Sequence, residues 1–209
     1  MASEDRQAHW DAAYSAKGEA GVSWFEDRPT TSLELIAEFG ATPSSSIIDI
    51  GGGASRLVDA LIEAGWQSIA VLDVADTGLA AAKARLGEKA AGQIEWIVAD
   101  VTRWNPERTF DVWHDRAVFH FLIDPVDRAA YVERLRIAVK PGGHAVIATF
   151  APNGPERCSG LPVQRYDAAG LAATVGPPFE LVRARGHTHS TPWGSTQSFQ
   201  YSVLRRTGG

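Results

Sequence analysis

Three acidic side chains, Asp49, Asp73 and Asp100, each close a short apolar run, and the first is followed at once by Gly51-Gly52-Gly53. A carboxylate accepts hydrogen bonds from hydroxyl and amine groups. Glycines at a strand-to-helix turn allow the tight dihedral angles and let the backbone pass where a Cβ would collide. Asp73 stands 24 residues beyond Asp49, close to the roughly 20-residue offset at which a second-strand carboxylate accepts from both hydroxyls of a ribose. The set describes a nucleoside-binding edge of a parallel sheet. A dinucleotide fingerprint G-x-G-x-x-G counted from Gly51 and Gly53 requires glycine at position 56, where Arg56 stands, so the nicotinamide reading recedes.

A second group of chemical side chains closes the fourth apolar run: His114-Asp115-Arg116-Ala117-Val118-Phe119-His120-Phe121. It offers a carboxylate, a guanidinium, imidazoles and aromatic rings within one turn of a strand end. Asp115 is the first candidate for handling an acceptor's proton, with Arg116 and His114 beside it. His120 and His144 read as packed or solvated. His187-Thr188-His189 and Cys158 are metal-ligand types, and positions i and i+2 of a strand share a face. No third ligand stands in sequence register with them, so no metal site is expected. A single loop thiol such as Cys158 is expected to be exposed.

The elements that must position these groups are read from periodicity and punctuation. Strand-length runs at Ser46–Ile50, Ser68–Leu72, Gln93–Val98, Asp111–His114 and His144–Phe150 alternate with helix-compatible stretches at 56–64 and 76–86, which end at Gly65 and Gly87. Such βα alternation predicts an α/β fold, a doubly wound sheet with helices on both faces. Helices are expected near residues 4–17, 31–39 and 167–174. An antiparallel strand pair is expected at Glu180–His187 and Gln197–Arg205. Trp24 and Phe25 fall in a predicted loop that caps a pocket. Residues 151–165, with three prolines and two glycines, read as a lid-like loop without regular structure.

With 209 residues, 44% of them apolar, the chain suits a single domain spanning 1–209, with an N-terminal helical cap over 1–45 and the sheet over 46–209. The formal charge of −5 gives no basic field for nucleic acid. No apolar run approaches the roughly 20 residues of a membrane span, and no targeting segment is recognised. One cysteine allows no internal disulfide. A soluble, cytoplasmic protein without nucleic-acid or membrane partners is expected. Composition is silent on oligomeric state.

The order Asp49-Ile50-Gly51-Gly52-Gly53-Ala54-Ser55, Val71-Leu72-Asp73-Val74, Val98-Ala99-Asp100-Val101, Phe110-Asp111-Val112-Trp113-His114-Asp115 and Val139-Lys140-Pro141-Gly142-Gly143-His144 resembles the class I S-adenosylmethionine-dependent methyltransferases. Ser55 departs from the last glycine of their first motif. The resemblance implies a Rossmann-like, seven-stranded, mostly parallel sheet with an antiparallel last strand. It further implies that the loop Gly51, Gly52, Gly53 faces the methionine part of the cofactor and that Asp49 anchors its ammonium group. Asp73 would hold the ribose, Val74 would be a further cofactor contact, Asp100 would meet the adenine amine and the Val101 amide a ring nitrogen, with S-adenosylhomocysteine as the product. Trp24 and Phe25 resemble the aromatic cover of thiopurine methyltransferase-like members. Trp10-Asp11-Ala12-Ala13-Tyr14 is similar to the opening helix of elongation-factor lysine methyltransferases. The implied activity is methyl transfer to a small-molecule nucleophile. Alternatives are transfer to a protein lysine, or a non-catalytic module that only holds the cofactor.

Overall fold

In the computed structural model, which describes residues 3–208, two helices, α1 (Ser3–Lys17) and α2 (Thr30–Glu38), precede β1 (Ser46–Ile50), α3 (Leu57–Glu63), β2 (Ser68–Asp73), α4 (Asp76–Ala91), β3 (Ile94–Val98) and β4 (Phe110–Arg116). A 3-10 turn at Phe119–Phe121 leads to α5 (Pro125–Ala138) and β5 (Val139–Phe150). A two-residue ladder, β6 (Arg157–Cys158) with β7 (Leu161–Pro162), interrupts the following loop. The chain then closes with α6 (Ala168–Val175), β8 (Phe179–Ser190) and β9 (Thr196–Arg206).

The seven-stranded sheet runs in the order β3-β2-β1-β4-β5-β9-β8. The first five strands are parallel, and β9 is antiparallel to both of its neighbours. This is the predicted Rossmann-like sheet, with the antiparallel strand last in the chain. Central strands read as unbroken apolar runs because both faces are covered. Ile48, Ile50, Ala70 and Leu72 enter one core with Trp113, Tyr131 and Leu135. Ile47, Ile69 and Val71 alternate to the other, with Leu35, Leu57 and Leu79.

Two boundaries and one helix depart furthest from expectation. Strand β5 begins at Val139, not at His144, because pairing with β4 already opens at Phe110 opposite Val139, and an irregularity between Phe110 and Val112 absorbs the extra residues. Helical structure in α4 resumes after Gly87, which takes φ 75° and ψ 162° as a break inside the element. Helix α5 was not read from the sequence, although its start signal is plain: the Asp124 side chain accepts from the Val126 amide and Pro125 fills the first turn.

Strand order reverses between β1 and β4, which leaves a crevice beyond their carboxyl ends. The α1 helix lies over it. The Asp11 carboxylate accepts from the backbone amide and hydroxyl of Thr77 at the start of α4. A carboxylate there also complements the positive end of that helix.

Candidate active site

A cavity of about 210 Å³ opens at the carboxyl ends of β1, β2, β3 and β4, roofed by α1, Trp24 and the β6/β7 ladder. Its walls include Gly51, Asp73, Val74, Asp100, Val101, Arg116 and Trp24 from the sequence-derived candidates. Asp49, Gly51 and Gly52 border a smaller adjoining hollow with Glu26, His114 and Arg116.

The glycine turn is pulled across the end of β2, where the amides of Gly51 and Gly52 donate to the Leu72 carbonyl at 2.7 and 3.2 Å. Gly51 has φ +65°, and a Cβ on it would lie 2.0 Å from Val118 Cγ2; at Gly53, φ +42°, it would lie 2.2 Å from the Tyr14 hydroxyl. Neither position admits a side chain, for conformational and for steric reasons together. The colliding atoms belong to the protein itself, so the loop is closely packed from both sides before any ligand enters.

The three acids sit in different electrostatic settings. Asp49 Oδ1 lies 2.7 Å from His114 Nδ1, and His114 Nε2 lies 2.8 Å from Ser32 Oγ, forming a buried chain from α2 to β1. Asp73 accepts from the Ala75 amide at 2.8 Å, and among the described residues no cation pairs with it. Burial pushes its carboxyl up from 3.8 to about 7, against the lowering effect of the Ala75 bond. Asp100 is the opposite case. Burial alone would raise it, but bonds from the Thr102 hydroxyl and amide and the charge of Arg6 hold it below the usual carboxylate range. Arg6 donates to Asp100 Oδ2 at 2.9 Å and also pairs with Asp127.

Arg116 stands on the cavity wall with three anchors. Nη1 donates to the Trp24 carbonyl at 2.7 Å, Nε to the Tyr201 hydroxyl at 3.2 Å, and Nη2 lies 3.1 Å from Glu26 Oε1. Its expected neighbour in sequence, Asp115, is not its partner. Asp115 is fully buried and points into the core, where it accepts from the amides of Val118 at 2.9 Å and Phe119 at 3.1 Å and from the Tyr131 hydroxyl at 2.6 Å. Its carboxylate, expected to face an acceptor, instead ties the turn after β4 to α5 in this structure. His114 is likewise occupied, since both ring nitrogens are engaged by Asp49 and Ser32. His120 is buried among Phe121 and Phe150, and burial lowers it to about 3, leaving a neutral core imidazole.

Several wall residues escaped the sequence reading. Arg6, Trp10 and Tyr14 all line the cavity from α1, and their i, i+4, i+8 spacing on one helix face was the available signal. Trp10 meets Trp24 and Phe121 edge-on, with centroids 5.6 and 4.9 Å apart. Ala117 lines the wall with φ 73°, a strained value for a residue with a Cβ. Cys158 was expected to be exposed but is buried on the ladder beside the cavity, and burial pushes its thiol up to about 11.

A three-residue group lies behind Arg116. Glu26 from the loop after α1 faces His187 and His189 of β8, supplying the third ligand type that sequence spacing did not reveal. Phe25, next to Trp24, lies 5.6 Å from the Arg56 guanidinium and does not line the main cavity.

Residues 47–143 match the family model described as Methyltransferase domain. Malonyl-[acyl-carrier protein] O-methyltransferase of Paenibacillus sp. (strain JDR-2) is 29% identical over 119 residues, covering 54% of this chain and 42% of that protein. Trans-aconitate 2-methyltransferase of Rhizobium leguminosarum bv. trifolii (strain WSM2304) is 27% identical over 188 residues, covering 90% of this chain and 60% of that one. The chain thus spans about half the length of the curated relatives it matches. The fold is similar to that of the Burkholderia thailandensis 1,6-didemethyltoxoflavin-N1-methyltransferase, solved with 1,6-didemethyltoxoflavin and S-adenosylhomocysteine bound, with TM-score 0.76 and 18% identity over 100% of this chain and 92% of that one. These relatives lend no support to the narrower likeness to thiopurine or elongation-factor lysine methyltransferases. The methyltransferase-domain model thus matches the run from β1 to the start of β5, and over that run the chain is similar to S-adenosylmethionine-dependent methyltransferases.

Proposed function

We propose that this protein transfers a methyl group from S-adenosylmethionine to a small, anionic or uncharged nucleophile held beside Arg116. The observation that carries the reading is Asp73: a buried carboxylate on the cavity wall, charged at a cost, with no cation to offset it. Two ribose hydroxyls donating to it would relieve that cost. The residues around it fit the rest of the cofactor. No described residue accepts from the Val101 amide, which is buried at the wall and available to a ring nitrogen of adenine. Asp100 Oδ1 is filled by the Thr102 amide and hydroxyl, while Oδ2, which accepts from Arg6, keeps one lone pair for the adenine amine. Asp49, already oriented by His114, suits the ammonium group, and Trp10, Tyr14 and Trp24 place aromatic rings where a sulfonium gains cation–π attraction.

When bound, the cofactor supplies a methyl group activated by the positive sulfur. The protein's own contribution is alignment and exclusion of water. Among the described residues lining the acceptor side, none is an unengaged base. Asp115 faces the core, His114 is bonded at both nitrogens, and the Cys158 thiol is held protonated. An acceptor must therefore arrive ionised or carry a lone pair that needs no proton removed before attack. Arg116 can orient an anionic one, because its five donors exceed its three anchors. The names of the relatives, a trans-aconitate and a malonyl methyltransferase, agree with a carboxylate acceptor.

Incubation of the protein with methyl-labelled cofactor and a cell extract separated by size tests the reading. Label in the low-mass fraction is expected. Label in protein bands would move the acceptor to a lysine side chain, and saturable cofactor binding without any transfer would leave a binding module.

A further inference from the structure

From the arrangement of Glu26, His187 and His189 we infer a binding site for one late first-row divalent cation, with zinc as the reference ion, behind the Arg116 wall of the cavity. The ligand atoms come from two distant parts of the chain. His187 and His189 project from the same face of β8, and the loop between α1 and α2 brings Glu26 to them, all three ligand atoms lying within 4.8 Å of one another.

Distances separate a hydrogen-bonded cluster from a ligand cluster. Glu26 Oε1 lies 3.5 Å from His187 Nε2 and 3.4 Å from His189 Nδ1. Both are long for N–H···O bonds, which cluster near ~2.9 Å. Ligands held at about 2.1 Å around a tetrahedral ion stand about 3.4 Å apart. The outer nitrogens are already committed. His189 Nε2 lies 2.7 Å from the Ser23 carbonyl, which can only accept, so that nitrogen carries the proton. In the neutral ring, Nδ1 then turns a bare lone pair towards a carboxylate oxygen. His187 Nδ1 is bonded to the Thr31 hydroxyl at 3.2 Å, leaving Nε2 to face Glu26. Imidazoles whose far nitrogens are fixed by a carbonyl and a hydroxyl, with near nitrogens converging on a carboxylate, match the second shell of protein metal sites.

Two pKa displacements agree. Burial holds His187 below the usual imidazole value, and Glu26 raises it by less, which favours the neutral ligand form. Glu26 is lowered despite burial, by a hydrogen bond from His189 and by the charge of Arg116, so its carboxylate is ionised and a bound ion would take the place of the His189 proton. Arg116 shares the same Glu26 oxygen at 3.1 Å. Its charge opposes the ion, and an ion bound there would loosen Glu26's hold on Arg116. The site therefore couples to the acceptor wall and not to Asp73. Two histidines and one carboxylate leave a coordination position for water, as in open zinc sites.

The test uses the whole, chelator-treated protein without cofactor. Titration with Co²⁺ should give one saturable equivalent with the visible absorption of a tetrahedral nitrogen and oxygen site, displaced by Zn²⁺. Glu26→Gln and His187→Gln should each weaken binding at least tenfold, while Cys158→Ser leaves it unchanged. Absorption-edge fine structure of the Zn²⁺-loaded wild type should show two imidazoles at about 2.0–2.1 Å, a readout independent of variant folding. Absence of a saturable equivalent, or coordination without paired imidazoles, would overturn the site, and a proton on His189 would then be the occupant. Cofactor binding is read separately by calorimetry, so failure here leaves the methyltransferase reading standing.

Discussion

On the β1–β3 side of the cavity, Asp73 is fixed by the Ala75 amide and Asp100 first by the Thr102 amide and hydroxyl, each two residues on, with Arg6 added to Asp100 from α1. On the β4 side the anchors are remote. Arg116 reaches Trp24 across 92 positions and Tyr201 across 85, and His114 reaches Ser32 across 82. The first half is built on strand-end turns whose nearest bonds are local. The second exists only once β8, β9 and the N-terminal cap have docked. A turn built locally holds its carboxylate without a cation, as at Asp73 and again at Asp115, whereas Arg116 is paired with a remote carboxylate, Glu26.

The sharpest way to break this contrast is Gly53→Ala, which strikes the glycine turn after β1. At φ +42° its Cβ would meet the Tyr14 hydroxyl at 2.2 Å and Asp73 Oδ2 at 2.9 Å. Overpacking of this kind costs about 1–3 kcal/mol of stability. Displacement of the Asp73 carboxylate should add a loss of cofactor affinity of roughly 100-fold (about 3 kcal/mol). Melting curves and calorimetric titration measure the two parts, and a variant with wild-type affinity would show that the turn is softer than its packing implies.

Asp73→Asn tests whether the local half stores an electrostatic cost. The folded-state carboxyl is raised from 3.8 to about 7, by burial first. The native protein therefore keeps this proton where the unfolded chain has lost it, and stability falls as pH rises from about 4 to about 7. At about 1.4 kcal/mol per pKa unit the penalty on the ionised form is on the order of 4 kcal/mol. Hydroxyls donating to the ionised form should make cofactor affinity rise across the same window. The amide variant should melt higher than wild type at pH 8 when free of cofactor, yet bind cofactor roughly 10- to 100-fold less tightly, the loss of a charge-assisted acceptor. Lower stability together with unchanged affinity would assign Asp73 a purely structural role.

Asp115→Asn sharpens the comparison from the β4 side. The buried carboxylate accepts three bonds, from Val118, Phe119 and the Tyr131 hydroxyl, so the variant should lose about 1–3 kcal/mol in denaturant unfolding. Cofactor affinity and acceptor KM should stay close to wild type. A turnover defect at full stability would restore the direct role that its position in sequence suggested.

The same contrast explains what was legible in the sequence. Asp49, Gly51, Asp73 and Asp100 declare themselves because a strand end, a turn and a helix start must follow each other in the chain, and their residue types obey that order. Seven strands were readable because Ile47-Ile48 and Val71-Leu72 show burial on both faces. Asp115 hides its role because it still lies within β4, whose alternation sends its carboxylate to the core and the guanidinium of its neighbour Arg116 to the cavity wall, so one residue of register decides between the two. Glu26 and Ser32 carry no local signature at all. Their partners His187, His189 and His114 are chosen by β8 and β4 docking on the cap, which no spacing in the chain encodes.

The smallest expected effect belongs to Arg6→Gln, where the two halves meet. Arg6 ties α1 to Asp100 and Asp127; desolvation offsets much of the gain from the buried Asp100 pair, and the Asp127 pair, on a carboxylate 27% exposed, is the one open to screening. Its removal has opposed consequences. Asp100 Oδ2 is freed for an adenine amine, which favours cofactor, while α1 loses one anchor and with it the placement of Trp10 and Tyr14. The helix remains attached through Asp11 and Thr77 and through the Tyr14–Trp24 contact. Loss of order in the roof should slightly outweigh the freed oxygen, lowering cofactor affinity by roughly two- to fivefold (about 0.4–1 kcal/mol) at low salt. Because ion pairs fade with ionic strength, wild type and variant should converge above about 0.5 M salt. A loss beyond about 30-fold, or a gap that salt does not close, would mean that α1 is held by this arginine alone and that the roof, not the strand ends, governs binding.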